Sequence, residues 1–166
     1  MDGAVGALFS INYTGAEPIL ANFPQFRFVK QFQPVSCVCL LIDDDLDDQE
    51  IFGLAVQELG MNVLVMTARD GVEGLALLRS EDSAIPDFIF VDLNMPRMNG
   101  RDVIKALPGI GRIRKAKTIL YSTSADNADL KQEMYAAGVQ VIVKPPSLAG
   151  LVVALFAIFK TNNQCE

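Results

Sequence analysis

The segment Phe88-Ile89-Phe90-Val91-Asp92-Leu93-Asn94-Met95-Pro96-Arg97-Met98-Asn99-Gly100 constrains the fold more than any other part of the chain. Four apolar, strand-forming residues run into a single carboxylate, and a loop punctuated by Pro and Gly follows at once. This predicts a buried strand with Asp92 at its carboxyl end, where open α/β sheets present their ligand sites. A carboxylate there can be a metal ligand, a nucleophile, or both.

The same strand-then-helix rhythm begins at Cys37. Val38 to Ile42 is a continuous apolar run that ends in acids, as a fully buried parallel strand requires. Over 46–59, Leu46, Ile51, Leu54, Ala55 and Leu59 fall near helical spacing, with Gly60 as the stop. Further strands are predicted over 63–66, 88–91, 118–121 and 139–143, and further helices over 71–78, 102–107, 126–137 and 147–160. Five strands alternating with five helices, joined by short links, imply an α/β fold with a parallel sheet covered on both faces.

A chain of 166 residues that is 51% hydrophobic can close one well-filled core. The expected organisation is an N-terminal arm over 1–36, one domain over 37–160 and a tail over 161–166. The arm carries charge only at Asp2, Glu17, Arg27 and Lys30, and its aromatics lack periodicity. It reads as an appendage of little function or as a docking arm.

Composition excludes several classes. A net charge of −6 leaves no electrostatic footprint for nucleic acid. The absence of histidine removes the Ser/His/Asp triad, the usual zinc sites and any phosphohistidine carrier role. Cys37 and Cys39 share one face of a strand, and with Cys165 they suggest structural thiols in a reducing cytoplasm. No signal peptide is evident at Met1-Asp2-Gly3-Ala4. The apolar run Leu148 to Phe159 falls short of the roughly 20 residues that span a membrane.

Residues just past the strands of such a sheet converge on one edge. They are Asp43 and Asp44, then Asp92, then Ser122 with Thr123, and last Lys144. Carboxylates brought this close repel one another by roughly 4 kcal/mol per pair at an effective dielectric of 20. A hard divalent cation relieves that repulsion, and all-oxygen ligation favours Mg²⁺. With metal, ammonium and hydroxyl to neutralise phosphoryl oxygens, the set predicts phosphoryl transfer to an aspartate. Asp45, Asp47 and Asp48 read as plain anions at a helix N-terminus, and the basic loop Arg112, Arg114, Lys115 and Lys117 as solvated surface.

These residues resemble the receiver domain of two-component response regulators over roughly 37–160. Ile42-Asp43-Asp44 is similar to its acidic pair, Asp92 to Gly100 to its phospho-acceptor strand and loop, Ser122 to its hydroxyl position and Lys144-Pro145 to its Lys-Pro. The resemblance implies a flavodoxin-like (βα)5 doubly wound fold with strand order 2-1-3-4-5. It implies that Asp92 takes a phosphoryl group from a sensor histidine kinase or histidine phosphotransfer protein. Asp44, Asp92 and the backbone carbonyl of Asn94 would bind Mg²⁺, with Asp43 holding a metal-bound water. Lys144 would pair with the phosphoryl group, Ser122, flanked by Thr123, would carry the switch, and the Lys144–Pro145 peptide would be cis. Asn94 and Ser124 stand where the family tunes phosphoryl lifetime.

Two departures are visible. Val141 occupies the position where the family places a switching aromatic ring, and Pro146 stands where Phe is common. The last helix predicts a core stripe of Leu151, Leu155, Ile158 and Phe159. Val152, Val153 and Phe156 are then apolar on the opposite side, which predicts a partner or homodimer face shared with the fourth helix. With six residues after Lys160, the signal is expected to leave by protein contact. Two alternatives remain: a haloacid-dehalogenase-type phosphatase with Asp43 as nucleophile, and a receiver-fold interaction module that works without phosphorylation. The phosphatase would want an acidic pair after Lys144, and no acid lies between Lys144 and Glu166.

Overall fold

A computed structural model describes residues 35–125 and 127–160. The expectations for the arm up to residue 34 and for the tail at 161–166 lie outside the described residues. Five strands are present: β1 (Cys37–Ile42), β2 (Val63–Ala68), β3 (Phe88–Val91), β4 (Lys117–Ser122) and β5 (Gln140–Val143). They alternate with α1 (Leu46–Glu58), α2 (Gly71–Arg79), α3 (Gly100–Ala106), α4 (Ala128–Ala136) and α5 (Leu148–Lys160). The sheet is wholly parallel, as the alternation predicts, and its order β2-β1-β3-β4-β5 is the one the resemblance implies.

Strand periodicity divides the core into two faces. Alternate strand residues (Cys39, Leu41, Phe88, Phe90, Ile119, Tyr121) pack with Phe52 of α1 and with Leu151, Leu155, Ile158 and Phe159 of α5. The intervening residues of β1 and β3 (Leu40, Ile42, Ile89, Val91) meet α2 and α3, and Leu120 meets Leu130 and Met134 of α4. Because β1 and β3 are buried on both sides, their sequences are continuous apolar runs rather than alternating ones. Rings knit the α1/α5 face together: Phe52 meets Phe90 edge-on at 5.0 Å, and Phe88 meets Phe159 at 5.2 Å.

Helix starts are fixed by side-chain caps. Asp45 accepts from the Asp47 and Asp48 amides, Asp70 from Val72 and Glu73, Asn99 from Asp102, and Asn127 from Asp129 and Leu130. Gly60, at φ 63°, ends the first helical unit in the left-handed region that favours glycine. No helix among the described residues is long and apolar enough to cross a membrane.

Three expectations need correction. The buried face of α1 is Phe52, Ala55 and Val56, whereas Leu46, Ile51 and Leu54 are exposed. The large Phe52 ring fills the space over β3 and β4, and its rotation about the axis carries the three aliphatic residues outward. On α5 the stripe Leu151, Leu155, Ile158 and Phe159 is buried as expected, but Val152 is half-buried against that core. Only Val153 and Phe156 of the three face outward, at 70% and 47% exposure. Cys39 is a free buried thiol, whereas Cys37 is disulfide-bonded, against the expectation of a thiol there.

The loop after β3 is held by a close backbone approach. A Cβ at Gly100 would stand 2.2 Å from the Asp92 carbonyl oxygen, a backbone atom that cannot swing aside. Gly53, by contrast, sits mid-helix in α1 with nothing near its missing Cβ. Gly100→Ala is therefore expected to lower unfolding free energy by about 1–3 kcal/mol in a denaturant titration. Gly53→Ala is expected to raise it by up to about 1 kcal/mol, because alanine orders a helix more readily.

Candidate functional site

The ladders extend one residue past each strand, and this places the site. The amide of Asp43 donates to the Ala68 carbonyl at 3.0 Å, that of Asp92 to Ile42 at 2.9 Å, and that of Lys144 to Ser122 at 3.2 Å. Asp43, Asp92 and Lys144 each continue the strand parity that faces α1 and α5. Ser122 continues the opposite parity, beside Leu120. The local fold thus sends three charged groups to the same side of the sheet edge.

Their meeting is direct. Lys144 Nζ donates to Asp43 Oδ2 at 2.7 Å and to Asp48 Oδ2 at 2.6 Å, and it stands 3.3 Å from Asp92 Oδ1. Its side chain is 8% exposed and Asp43's 1%, whereas Asp48's is 34% exposed. The ammonium lies 5.3 Å from the centre of the buried Tyr121 ring, a cation–π distance. Asp92 Oδ2 accepts from the Asn94 amide at 2.7 Å, and Asp43 Oδ1 from the Asp45 amide at 3.1 Å. Gln49 Nε2 donates to the Asp43 carbonyl at 2.7 Å, tying the β1 end to α1.

Two opposing effects set the protonation of this group. Burial pushes the Asp43 carboxyl up to about 6, while the Lys144 ammonium pulls it down. Burial also works against the Lys144 charge, but its hydrogen bonds to Asp43 and Asp48 outweigh that and raise its pKa overall. At neutral pH the pair is an ammonium facing a carboxylate.

The remaining predicted residues surround this centre. Asp44 is exposed at the start of the β1–α1 loop. Ser122 is buried, and its Oγ lies 3.4 Å from the Ser124 amide as acceptor, while Thr123 is exposed. Asn94 is exposed and its Nδ2 donates to Ser124 Oγ at 3.2 Å, joining the loops after β3 and β4. Arg97 takes a positive φ of 63° in the loop after Asp92 and forms an ion pair with the buried Asp70. Val141 is half-buried against the cluster that holds Leu120 and Met134.

Two expectations are corrected here. The Lys144–Pro145 peptide is trans, since no described peptide bond is cis. The Lys144 side chain reaches the acids from the trans backbone, which is the favoured form of an X–Pro bond. Asp48 is not a plain helix-end anion, because it holds the lysine more closely than Asp92 does. No local signal singled it out from Asp45 and Asp47 in the same stretch of acids.

The donor chemistry suits a hard cation. Asp43, Asp44, Asp48 and Asp92 offer only oxygen, and the single ammonium leaves the group with an excess of negative charge. Among the described residues no three acids converge as a preformed cage. Asp43 and Asp92 are instead drawn together through Lys144 Nζ.

Comparison with known proteins agrees with this arrangement. Residues 39–156 match the family described as the response regulator receiver domain. Chemotaxis protein CheY1 of Helicobacter pylori is 28% identical over 75% of this chain and 98% of its own length. Transcriptional regulatory protein PrrA of Mycobacterium tuberculosis is 31% identical over 75% of this chain, which spans half of that protein's length. The match to the sensor histidine kinase CheAY of Helicobacter pylori spans only 14% of that protein. Among solved structures, a phosphorylated cyanobacterial phytochrome response regulator, RcpA, has a TM-score of 0.67 at 28% identity, covering 75% of this chain and 91% of that one. Vibrio cholerae CheY4 has a TM-score of 0.62 at 28% identity, covering 74% and 98%. With the strand order and the family match in agreement, the chain belongs to the response regulator receiver domain family.

Proposed function

We propose that this receiver is a signalling switch that accepts a phosphoryl group on Asp92. The observation that carries this reading is the Lys144 ammonium, 3.3 Å from Asp92 Oδ1 and anchored on the buried Asp43. An Asp92 oxygen attacks phosphorus, and a P–O bond forms as the P–N bond to a donor imidazole breaks. The electron pair of the broken bond returns to the ring nitrogen. The donor is a sensor histidine kinase or a histidine phosphotransfer protein, whose phosphohistidine supplies the group. Apart from gaining and losing its own phosphoryl group, the protein catalyses nothing.

Mg²⁺ would be held by Asp43, Asp44, Asp92 and the Asn94 carbonyl, and when bound it would neutralise charge on the phosphoryl oxygens. Lys144 supplies a second positive charge from the protein, and the Ser122 hydroxyl can donate once its rotamer turns. The switch is a shift of population: a phosphoryl group makes contacts with Ser122 and Lys144 that favour one of two loop arrangements. Residues 37–160 form the receiver. The output is contact with a cytoplasmic partner or second copy through α4 and α5, where Val153 and Phe156 are exposed.

Incubation with acetyl phosphate and Mg²⁺, followed by intact mass measurement, should show one added phosphoryl group that is absent from Asp92→Asn. Modification that survives Asp92→Asn and disappears with Asp43→Asn would overturn the assignment.

Metal binding should also depend on pH. In metal-free protein the Asp43 carboxyl is raised to about 6 from 3.8, so its protonated form is the one that favours the fold. That contribution is complete below pH 3.8 and is lost as pH rises through about 6. Mg²⁺ competes with this proton. Its apparent affinity, measured by calorimetry, should be nearly flat above pH 7 and fall by roughly tenfold per pH unit below 6. An affinity unchanged between pH 7 and pH 5 would show that Asp43 takes no part.

A further inference from the structure

We propose that Asp48, which lies outside the residues of the family motif, is a positioning residue that holds Lys144 back from Asp92 until a phosphoryl group arrives. The proposal rests on the phosphoryl-accepting reading of Asp92. Lys144 Nζ makes two short hydrogen bonds, 2.7 Å to Asp43 and 2.6 Å to Asp48, and leaves Asp92 at 3.3 Å. The two short partners differ in what their release would involve. Asp43 is 1% exposed and fixed at the end of β1, so losing the ammonium would strand a buried charge. Asp48 stands on the first turn of α1 at 34% exposure, and water can replace the ammonium there at little cost.

Asp48 is therefore the contact that gives way. An unmodified Asp92 carries one negative charge and competes poorly against two closer carboxylates. An aspartyl phosphate carries nearly two and presents three further oxygens. The ammonium then moves from Asp48 to a phosphoryl oxygen while keeping Asp43. Only hydrogen bonds are exchanged in this movement. Asp48 thus sets a threshold: it lowers the affinity of the site for a phosphoryl group by the strength of one charge-assisted hydrogen bond.

Beryllofluoride, a phosphoryl mimic, reads this threshold without chemistry. In saturating Mg²⁺, Asp48→Asn is expected to bind it roughly threefold to tenfold more tightly than the wild-type protein, a range typical of one partly exposed charge-assisted contact. The lifetime of the aspartyl phosphate formed with acetyl phosphate should lengthen in the same direction. Asp48→Glu, which keeps a carboxylate within reach of Lys144, should return both values towards wild type. Asp47→Asn removes the same charge from the same helical turn, where no contact with Lys144 exists, and should leave both unchanged.

The Lys144 side-chain ammonium resonance, followed by NMR with labelled lysine, should shift in ligand-free Asp48→Asn towards its position in the beryllofluoride complex. Tighter binding in Asp48→Asn and Asp47→Asn alike would reduce the effect to bulk charge and overturn the proposal. Unchanged or weaker binding in Asp48→Asn, with normal binding by the wild type, would overturn it alone. A wild-type protein that neither binds beryllofluoride nor accepts phosphate would remove the phosphoryl reading, and this proposal with it.

Discussion

Three carboxylates share one ammonium at the end of this sheet, and the rest of the site is arranged around that imbalance. Lys144 reaches Asp43 and Asp92 because strands β1, β3 and β5 end at the same level on the same face, and it reaches Asp48 from the first turn of α1 beside them. The lysine acts as a built-in counter-charge. Without it, the buried Asp43 would face a nearby acid in a poorly solvated place. With it, the cluster is held together yet remains short of positive charge, which is the condition that invites a hard cation.

The same lysine connects the chemistry to the core. Its ammonium lies over Tyr121, and Tyr121 packs edge-on against Phe52 at 5.9 Å and Phe90 at 6.2 Å. Phe90 in turn meets Phe159 of α5 at 6.3 Å. A packed row of rings thus runs from the charged centre to the helix that displays Val153 and Phe156. On the other face of the sheet, Val141 is too small to swing as a ring would. The aromatic mass near the site lies on the α1/α5 side of the sheet.

Much of this was legible in the sequence because burial on both faces leaves an unbroken apolar run, and such runs locate β1 and β3 closely. The acids that follow the runs could be placed at one edge from topology alone. Side-chain orientation was harder to read. The apolar spacing of α1 pointed to Leu46, Ile51 and Leu54, but a single large ring at position 52 decided the buried face. Asp48 was lost among five acids within six residues, since nothing local marks which of them a lysine 96 positions later will choose. The Lys144–Pro145 peptide was expected from the resemblance to be cis and is trans. Residue type there fixes only that both forms are accessible.

The central claim is that Lys144 serves as the counter-charge of this acidic edge, and Lys144→Met tests it most directly. Denaturant unfolding near neutral pH, with and without Mg²⁺, should show the metal-free variant less stable than the wild type by about 3 kcal/mol. Added Mg²⁺ should then return more stability to the variant than it gives to the wild type, because the cation fills the missing charge. A metal-free variant as stable as the wild type, stabilised by Mg²⁺ to the same extent, would contradict the account.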